Sequence, residues 1–414
     1  MGTLTVSEHS PQPLYPTRIL NTLGKIKKTP HLSTSALMEA AERKTGLSDW
    51  GVDKFEEALT RFCQDVNHDK LMHFAGKVFT KKGIMRWLVD RLEIQKTFRE
   101  KPEILEKEVR APILIPGEQR AGTTLLHRLL ALDEQFRTPR SWEIYFPLPP
   151  PETASYESDP RIKRAKALYK TAFRTSPALQ VTHPMDANWP EECWYLLDRS
   201  FIRILALFYN DLPTYEEWLL SLSTEESAPY YRYYRKQLQI LQWHFLKPRW
   251  VLKSPVHGAF LKAYWHEFPD AKFLMCHRHP VQTTPSTCSQ IAARRSSFYS
   301  TLDFREIGKR VVRLAGIRSE RMLEARRQIG ESAFFDVSYA ALMNEPTATM
   351  RGIYRYLGLG LTAAVEKQME NYLVLQRRGE HRQHRYTLEE FGLDQRGVED
   401  QFETYIQQFQ DYLN

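Results

Sequence analysis

Cysteine is scarce. The 414 residues hold four, Cys63, Cys193, Cys276 and Cys288, far apart and with no CxxC pair among them. That excludes a disulfide-stapled scaffold and predicts reduced thiols in a reducing compartment, the cytoplasm. No His/Cys cluster stands at ligand spacing, so the expected chemistry needs no metal. No stretch approaches the roughly 18 consecutive apolar residues of a membrane span. The opening MGTLTVSEHSPQPLYP lacks the apolar core of a secretory leader, and Val6 stands where a myristoylation signal after Gly2 needs Ser or Thr. These absences predict a soluble protein without a transmembrane segment. Internal repeats, low-complexity tracts and dense Lys/Arg runs interleaved with aromatics are also missing, which argues against a nucleic-acid partner.

What is present is a globular composition long enough to bury a full core without staples. Lys plus Arg number 58 against 50 Asp plus Glu, and the net charge of +8 suits an anionic small molecule in a mildly basic cleft. The length predicts one large α/β domain with an appended region. Residues 1–34 read as a Pro-punctuated polar arm, 35–105 as a helical region, and 106–414 as the α/β domain. Within that domain a Tyr- and Trp-rich helical insertion spans about 156–246 and would shape a substrate pocket. LSTSALMEAAERKTGL opens on a Ser/Thr cap signal and stops at Gly46. APILIP (111–116), RWVLK (249–253), AKFLMCHR (271–278) and AFFDV (333–337) are apolar runs that read as buried strands. Strands alternating with helices predict a P-loop-like parallel sheet flanked by helices, with ligands beyond the carboxyl ends of the strands.

Three motifs fall at such ends. Gly117 to Thr124 reads GEQRAGTT between a strand and a helix. Gly117 and Gly122 allow the turn, Arg120 supplies a cation, Thr123 and Thr124 supply hydroxyls, and the helix adds its positive dipole end. The spacing is that of a Walker A loop, but Thr123 replaces its lysine, which weakens a kinase or nucleotidase reading. That reading would also want a magnesium-holding carboxylate, for which Asp336 is the nearest candidate. HRHPVQTTPS places Arg278 at a strand end and Ser286 on the following helix, a pair able to hold a terminal phosphate. VLKSP sets Lys253 at another strand end, where it can neutralise a departing anion. Glu143, in RSWEIYFPLPPPE, and His183, in VTHPMDANWPEEC, are the two candidates for a general base, with Glu143 favoured. Asp186, Glu191 and Glu192 read as local structure.

The loop followed by LLHRLLALD resembles the 5′-phosphosulfate loop of the family of sulfotransferases that use 3′-phosphoadenosine-5′-phosphosulfate (PAPS), usually PRSGTT. Gln119 and Ala121 depart from that pattern, and the second change removes a side-chain donor. TGLSDWG, the RL pair at 91–92, WE…PPPE, HPM…PEEC, RWVLKSP, the RHP element and HRYTLEEFGLD follow in family order from about Ser35 onward. The resemblance implies transfer of a sulfuryl group from PAPS to a hydroxyl, or alternatively an amine, of a small-molecule acceptor, releasing adenosine 3′,5′-bisphosphate (PAP); WEIYF, ANWP and the aromatic stretch 194–218 suggest an apolar or aromatic acceptor. It implies that residues 117–124, Ala121 included, hold the 5′-phosphosulfate. Arg278 and Ser286 would grip the 3′-phosphate, with Tyr339 and Arg385 as further nucleotide contacts. Lys253 would assist departure of PAP. Arg120 also counts among the catalytic candidates. The expected spacing of the two anion grips is a nucleotide's length. A non-catalytic PAP-binding protein and a homodimer stay open as alternatives.

Overall fold

The computed structural model describes residues 29–175, 180, 184–245, 247–299, 301–379 and 386–413. Its sheet is built from Ile113–Ile115 (β1), Phe136–Arg137 (β2), Arg249–Lys253 (β3), Lys272–His277 (β4) and Phe334–Ser338 (β5), in the order β2-β3-β1-β4-β5 with every neighbouring pair parallel. Four of these strands are the apolar runs read from the sequence; β2, two residues long, carries no such signal. The runs are continuous because both faces are covered. Ile113, Ile115, Val251, Leu274, Cys276 and Val337 point into one buried cluster. Leu114, Trp250, Leu252, Phe273 and Met275 alternate with them and point into the other.

The first face is covered by Thr123–Leu130 (α4) and Pro346–Leu357 (α14). Helices from both ends of the chain cover the second. Thr34–Thr45 (α1) starts where the Ser33 hydroxyl accepts from the Ala36 N–H and stops at Gly46 in a left-handed conformation, as the cap signal predicts. Phe55–His68 (α2) and the long Phe74–Glu100 (α3) follow. Their Phe62, Leu88 and Leu92 lie in the same buried cluster as Leu114 and Phe273, so these helices share one core with the sheet. Ser141–Tyr145 (α5) precedes the insertion, which contributes Arg161–Thr175 (α6), Ile204–Tyr209 (α7), Pro213–Ser221 (α8) and Thr224–Gln242 (α9). The insertion is tied to the N-terminal helices through Arg91, which is fully buried, paired with Asp53, and donates to the Arg199 carbonyl at 3.1 Å.

After β3 come a short 3₁₀ turn over Pro255–Phe260 and Leu261–Glu267 (α10). Pro280–Arg295 (α11) and Phe304–Ile329 (α12) follow β4. Tyr339–Asn344 (α13), Ala363–Gly379 (α15), Gln395–Gln401 (α16) and Glu403–Leu413 (α17) complete the described chain. Among the described residues no helix is long and apolar enough to cross a membrane.

Candidate functional site

The loop from β1 to α4 is tightly held. A methyl group on Gly117 would meet the Cys276 backbone nitrogen at 2.8 Å, so only glycine lets the loop leave the sheet this close to β4. Behind the loop, Glu118 forms a buried ion pair with Arg318 of α12. Arg120 has φ 66° and Gly122 φ 89°. The second suits glycine. The first is a left-handed arginine, a strain of about 1–3 kcal/mol of the kind that persists where neighbours over-determine it.

Those neighbours are Arg278 and Ser286, the residues read from the sequence as a second anion grip. Arg120 Nε donates to Ser286 Oγ at 2.8 Å, and Arg278 Nη1 donates to the Arg120 carbonyl at 3.1 Å. The two grips predicted from separate motifs thus meet at Arg120, closer than a nucleotide's length. Arg278 also stacks over the Tyr339 ring at 4.1 Å. The Arg120 guanidinium is pushed below its ordinary value, first by loss of water to the cleft walls and then by the like charge of Arg278. Part of its surface stays open to solvent, and an anion seated there would relieve the repulsion.

The loop separates two chambers. One, about 270 Å³, is lined by Arg120, Gly122, Thr123, Thr124, Arg278 and Tyr339, with Tyr372 and Gln376 of α15 opposite. The other, about 50 Å³, shares Arg120, Thr123 and Thr124 and is closed by Glu191, Glu192, Trp194, Tyr195, Gln290 and Arg294. A group bound on the loop faces both.

Lys253, almost wholly buried, reaches the wall of the narrow chamber. Its Nζ donates to Glu192 Oε1 at 2.7 Å and to Thr124 Oγ1 at 3.5 Å. Behind it, His127 of α4 is held neutral, its pKa lowered to about 3 by burial and by the Lys253 charge. Glu191 is fixed rather than free. It accepts from the Glu192 N–H at 2.8 Å, the Tyr169 hydroxyl at 3.2 Å and the Ser141 hydroxyl at 3.3 Å. Burial raises its pKa, against the lowering effects of that N–H and of Lys253.

Glu143 lies away from both chambers. Its carboxylate is fully buried, paired with Arg137, and accepts from the Arg140 N–H and the Tyr156 hydroxyl, both at 2.7 Å. The carboxylates that sequence reading set aside, Glu191 and Glu192, line the narrower chamber. The PEEC motif was visible, but nothing in the residue types told which of several carboxylates would be packed away. Gly117 and Ala121 also line neither chamber: Gly117 packs on β4, and the Ala121 methyl is buried in the core while its N–H reaches the Glu118 carbonyl at 3.4 Å. Asp336 is held by Arg326 and by His277 at 2.8 Å, with its pKa lowered to about 2. Those partners occupy the carboxylate that the kinase reading needed. His183 and Arg385 lie outside the described residues. Tyr386 is described, and it lies close enough to Arg120 and Ser289 for both to pull its pKa down against the larger raising effect of burial.

The model of the sulfotransferase family matches residues 112–363, more than half of the chain. The omega-hydroxy-beta-dihydromenaquinone-9 sulfotransferases Stf3 of Mycobacterium bovis and Mycobacterium tuberculosis are each 25% identical to it over 295 residues, 70% of this chain and 72% of theirs. The crystal structure of sulfotransferase STF9 from Mycobacterium avium superposes with a TM-score of 0.83 at 27% identity, covering 92% of this chain and 98% of that one. Sulfotransferase STF1 from Mycobacterium tuberculosis gives 0.79 at 28% identity, with 91% and 99% covered.

Proposed function

Because the chain belongs to the sulfotransferase family, we propose that it moves a sulfuryl group from PAPS to the hydroxyl of an apolar acceptor and releases PAP. The observation that carries the donor is the junction at Arg120, where Ser286 and Arg278 close onto the phosphate loop. In this reading the amides at the start of α4, with Arg120, Thr123 and Thr124, hold the 5′-phosphosulfate. Arg278, which lines the wider chamber, holds the 3′-phosphate together with Ser286, which sits on Arg120. The acceptor enters the narrower one, whose walls include Trp194, Tyr195 and Pro255. A space of about 50 Å³ admits only the hydroxyl-bearing end of a larger molecule. The names of the Stf3 relatives, which specify a hydroxylated menaquinone derivative, point to the same class of acceptor.

Glu192 is the general base. Its partner Lys253 also contacts Thr124 on the phosphate loop, so a donor seated there competes with Glu192 for the ammonium. As Lys253 turns to the bridging oxygen, Glu192 loses its ion-pair partner and is left free to accept the acceptor proton. The acceptor proton passes to Glu192, the acceptor oxygen forms its bond to sulfur in line, and the bond from sulfur to the PAP oxygen breaks. Lys253 neutralises the charge that gathers on the leaving phosphate.

Titration calorimetry with PAP and ADP tests the donor. PAP is expected to bind at least about tenfold more tightly, since charge-assisted hydrogen bonds to a phosphate contribute about 1.5–3 kcal/mol. Arg278→Ala should remove most of that margin. Equal affinities for the two nucleotides would sink the donor assignment. PAP binding without release of PAP from PAPS across a panel of hydroxylated lipids and phenols would leave only a binding protein.

A further inference from the structure

Helix α6, RIKRAKALYKTAFRT, carries six basic residues and no acidic one, and no Asp or Glu occurs anywhere between Asp159 and Asp186. Ile162, Ala165 and Tyr169 are buried against the protein. Lys163, Lys166, Lys170 and Arg174 are exposed, at spacings i, i+3, i+7 and i+11. At about 100° per residue these four fall within one narrow stripe, and at 1.5 Å per residue the stripe runs about 16 Å. Among the described residues none of the four has an ion-pair partner. Like charges at three- and four-residue spacing destabilise a helix, so the free protein gains nothing from the arrangement.

The surroundings are aromatic and apolar. Beside the stripe lies a groove of about 400 Å³ lined by Lys166, Lys170, Phe173, Arg174 and Met185, with Asp186 as its described carboxylate. The loop that holds Met185 continues to Trp189, whose large apolar ring is about one-third exposed. The buried side of α6 reaches the reaction chamber, where Tyr169 donates to Glu191. A line of cations on a convex helix, with the partly exposed Phe173 ring beside it, does not converge on a compact anion. It matches a flat anionic surface on which apolar groups can sit at the headgroup level.

Resting on the reading of the acceptor as an apolar hydroxyl compound, we propose that α6 docks the protein on anionic lipid bilayers. Docking there would bring the mouth of the acceptor chamber to a lipid-borne hydroxyl. The lipid headgroups neutralise the stripe, and Phe173 and Trp189 contact the interface.

The test is co-sedimentation with vesicles of phosphatidylcholine alone and of phosphatidylcholine and phosphatidylglycerol in equal parts, with PAP affinity measured on the same samples. The wild-type protein should partition onto the anionic vesicles, ignore the neutral ones, and be released by salt. With about 1 kcal/mol per surface-bound cation, Lys163→Gln/Lys166→Gln/Lys170→Gln should weaken partitioning on the order of 100-fold and leave PAP affinity unchanged. A wild-type protein that binds PAP but not anionic vesicles overturns the docking and leaves the sulfotransferase reading intact. Partitioning that the triple variant retains overturns the role of α6. Tight binding to heparin without binding to vesicles also overturns the proposal, in favour of a dissolved polyanion. Loss of PAP binding in the wild type would instead count against the donor assignment.

Discussion

Two glutamates in family motifs have opposite surroundings. Glu143 sits at the first turn of α5, inside a shell made of Arg137, the Arg140 N–H and the Tyr156 hydroxyl. Glu192 stands at the chamber wall with Lys253 as its ion-pair partner. Their amides should therefore fail in different ways. Glu192→Gln should lower kcat by about 10²–10⁴-fold, the usual reach of general base catalysis, with PAP affinity held within a few-fold. Glu143→Gln leaves the Arg137 charge buried and half-compensated, a loss of up to about 3 kcal/mol that a urea midpoint would register while kcat of the folded enzyme changes little. Near wild-type turnover in Glu192→Gln would eliminate it as the base. Sequence reading could not make this choice. Glu143, Asp186, Glu191 and Glu192 are chemically alike and all lie in motif-rich segments, and burial, which follows from tertiary packing, is what separates them. The glycines of the loop were legible because a chain turning from strand to helix needs them wherever it occurs. Arg120 as the meeting point of the two grips was not, since Ser286 is 166 residues away.

Strand β4 ends at the arginine that would grip the 3′-phosphate, and its last residues are braced by α17. The Arg278 N–H lies close enough to the Tyr405 hydroxyl to lower its pKa against the larger raising effect of burial, and that hydroxyl is 2.9 Å from His277 Nδ1. His277 Nε2 is 2.8 Å from Asp336, so it donates there, Nδ1 accepts, and Tyr405 is the donor. Asp336 is in turn paired with Arg326 of α12. The chain of bonds runs from the Arg278 backbone to a buried ion pair, which makes Tyr405 a positioning residue. Tyr405→Phe should weaken PAP binding by about tenfold, one lost hydrogen bond and a slackened strand end, while AMP, which lacks the 3′-phosphate, binds as before. A uniform loss for both nucleotides would reduce Tyr405 to a packing role. At this scale the sequence is read well where the pattern is local. The continuous apolar runs of β1, β3, β4 and β5 and the Ser33 and Gly46 caps need only their own neighbours. Strand β2 is too short to have a period, and the brace from α17 joins residues more than a hundred positions apart, so neither could be read.

Across the whole molecule one core joins helices α1–α3, the insertion and one face of the sheet, so acid stress on any part is expected to be felt by all. Two buried histidines report it. His127 stands behind the phosphate loop, and His257, in the turn after β3, lies between the Tyr231 hydroxyl at 2.9 Å and Cys193 Sγ at 3.3 Å. Burial lowers both pKa values to about 3, the first helped by the Lys253 charge. An unfolded chain protonates them near 6.5, so between about pH 6.5 and 3 the unfolded state binds more protons and stability falls as pH falls. Their full contribution is present above 6.5. One pH unit below it, each costs about 1.4 kcal/mol, and together they cost about 3 kcal/mol. Glu191, whose folded pKa is raised, acts in the opposite sense, because the folded state takes up its proton first. The net slope therefore mixes the two, and a difference between variants separates them. Urea midpoints measured from about pH 7.5 to 5.5 should fall in the wild type, and His257→Gln should fall less, by close to the share of one histidine. Identical slopes for the two proteins would mean that His257 either takes up a proton in the folded state or is not enclosed between Cys193 and Tyr231.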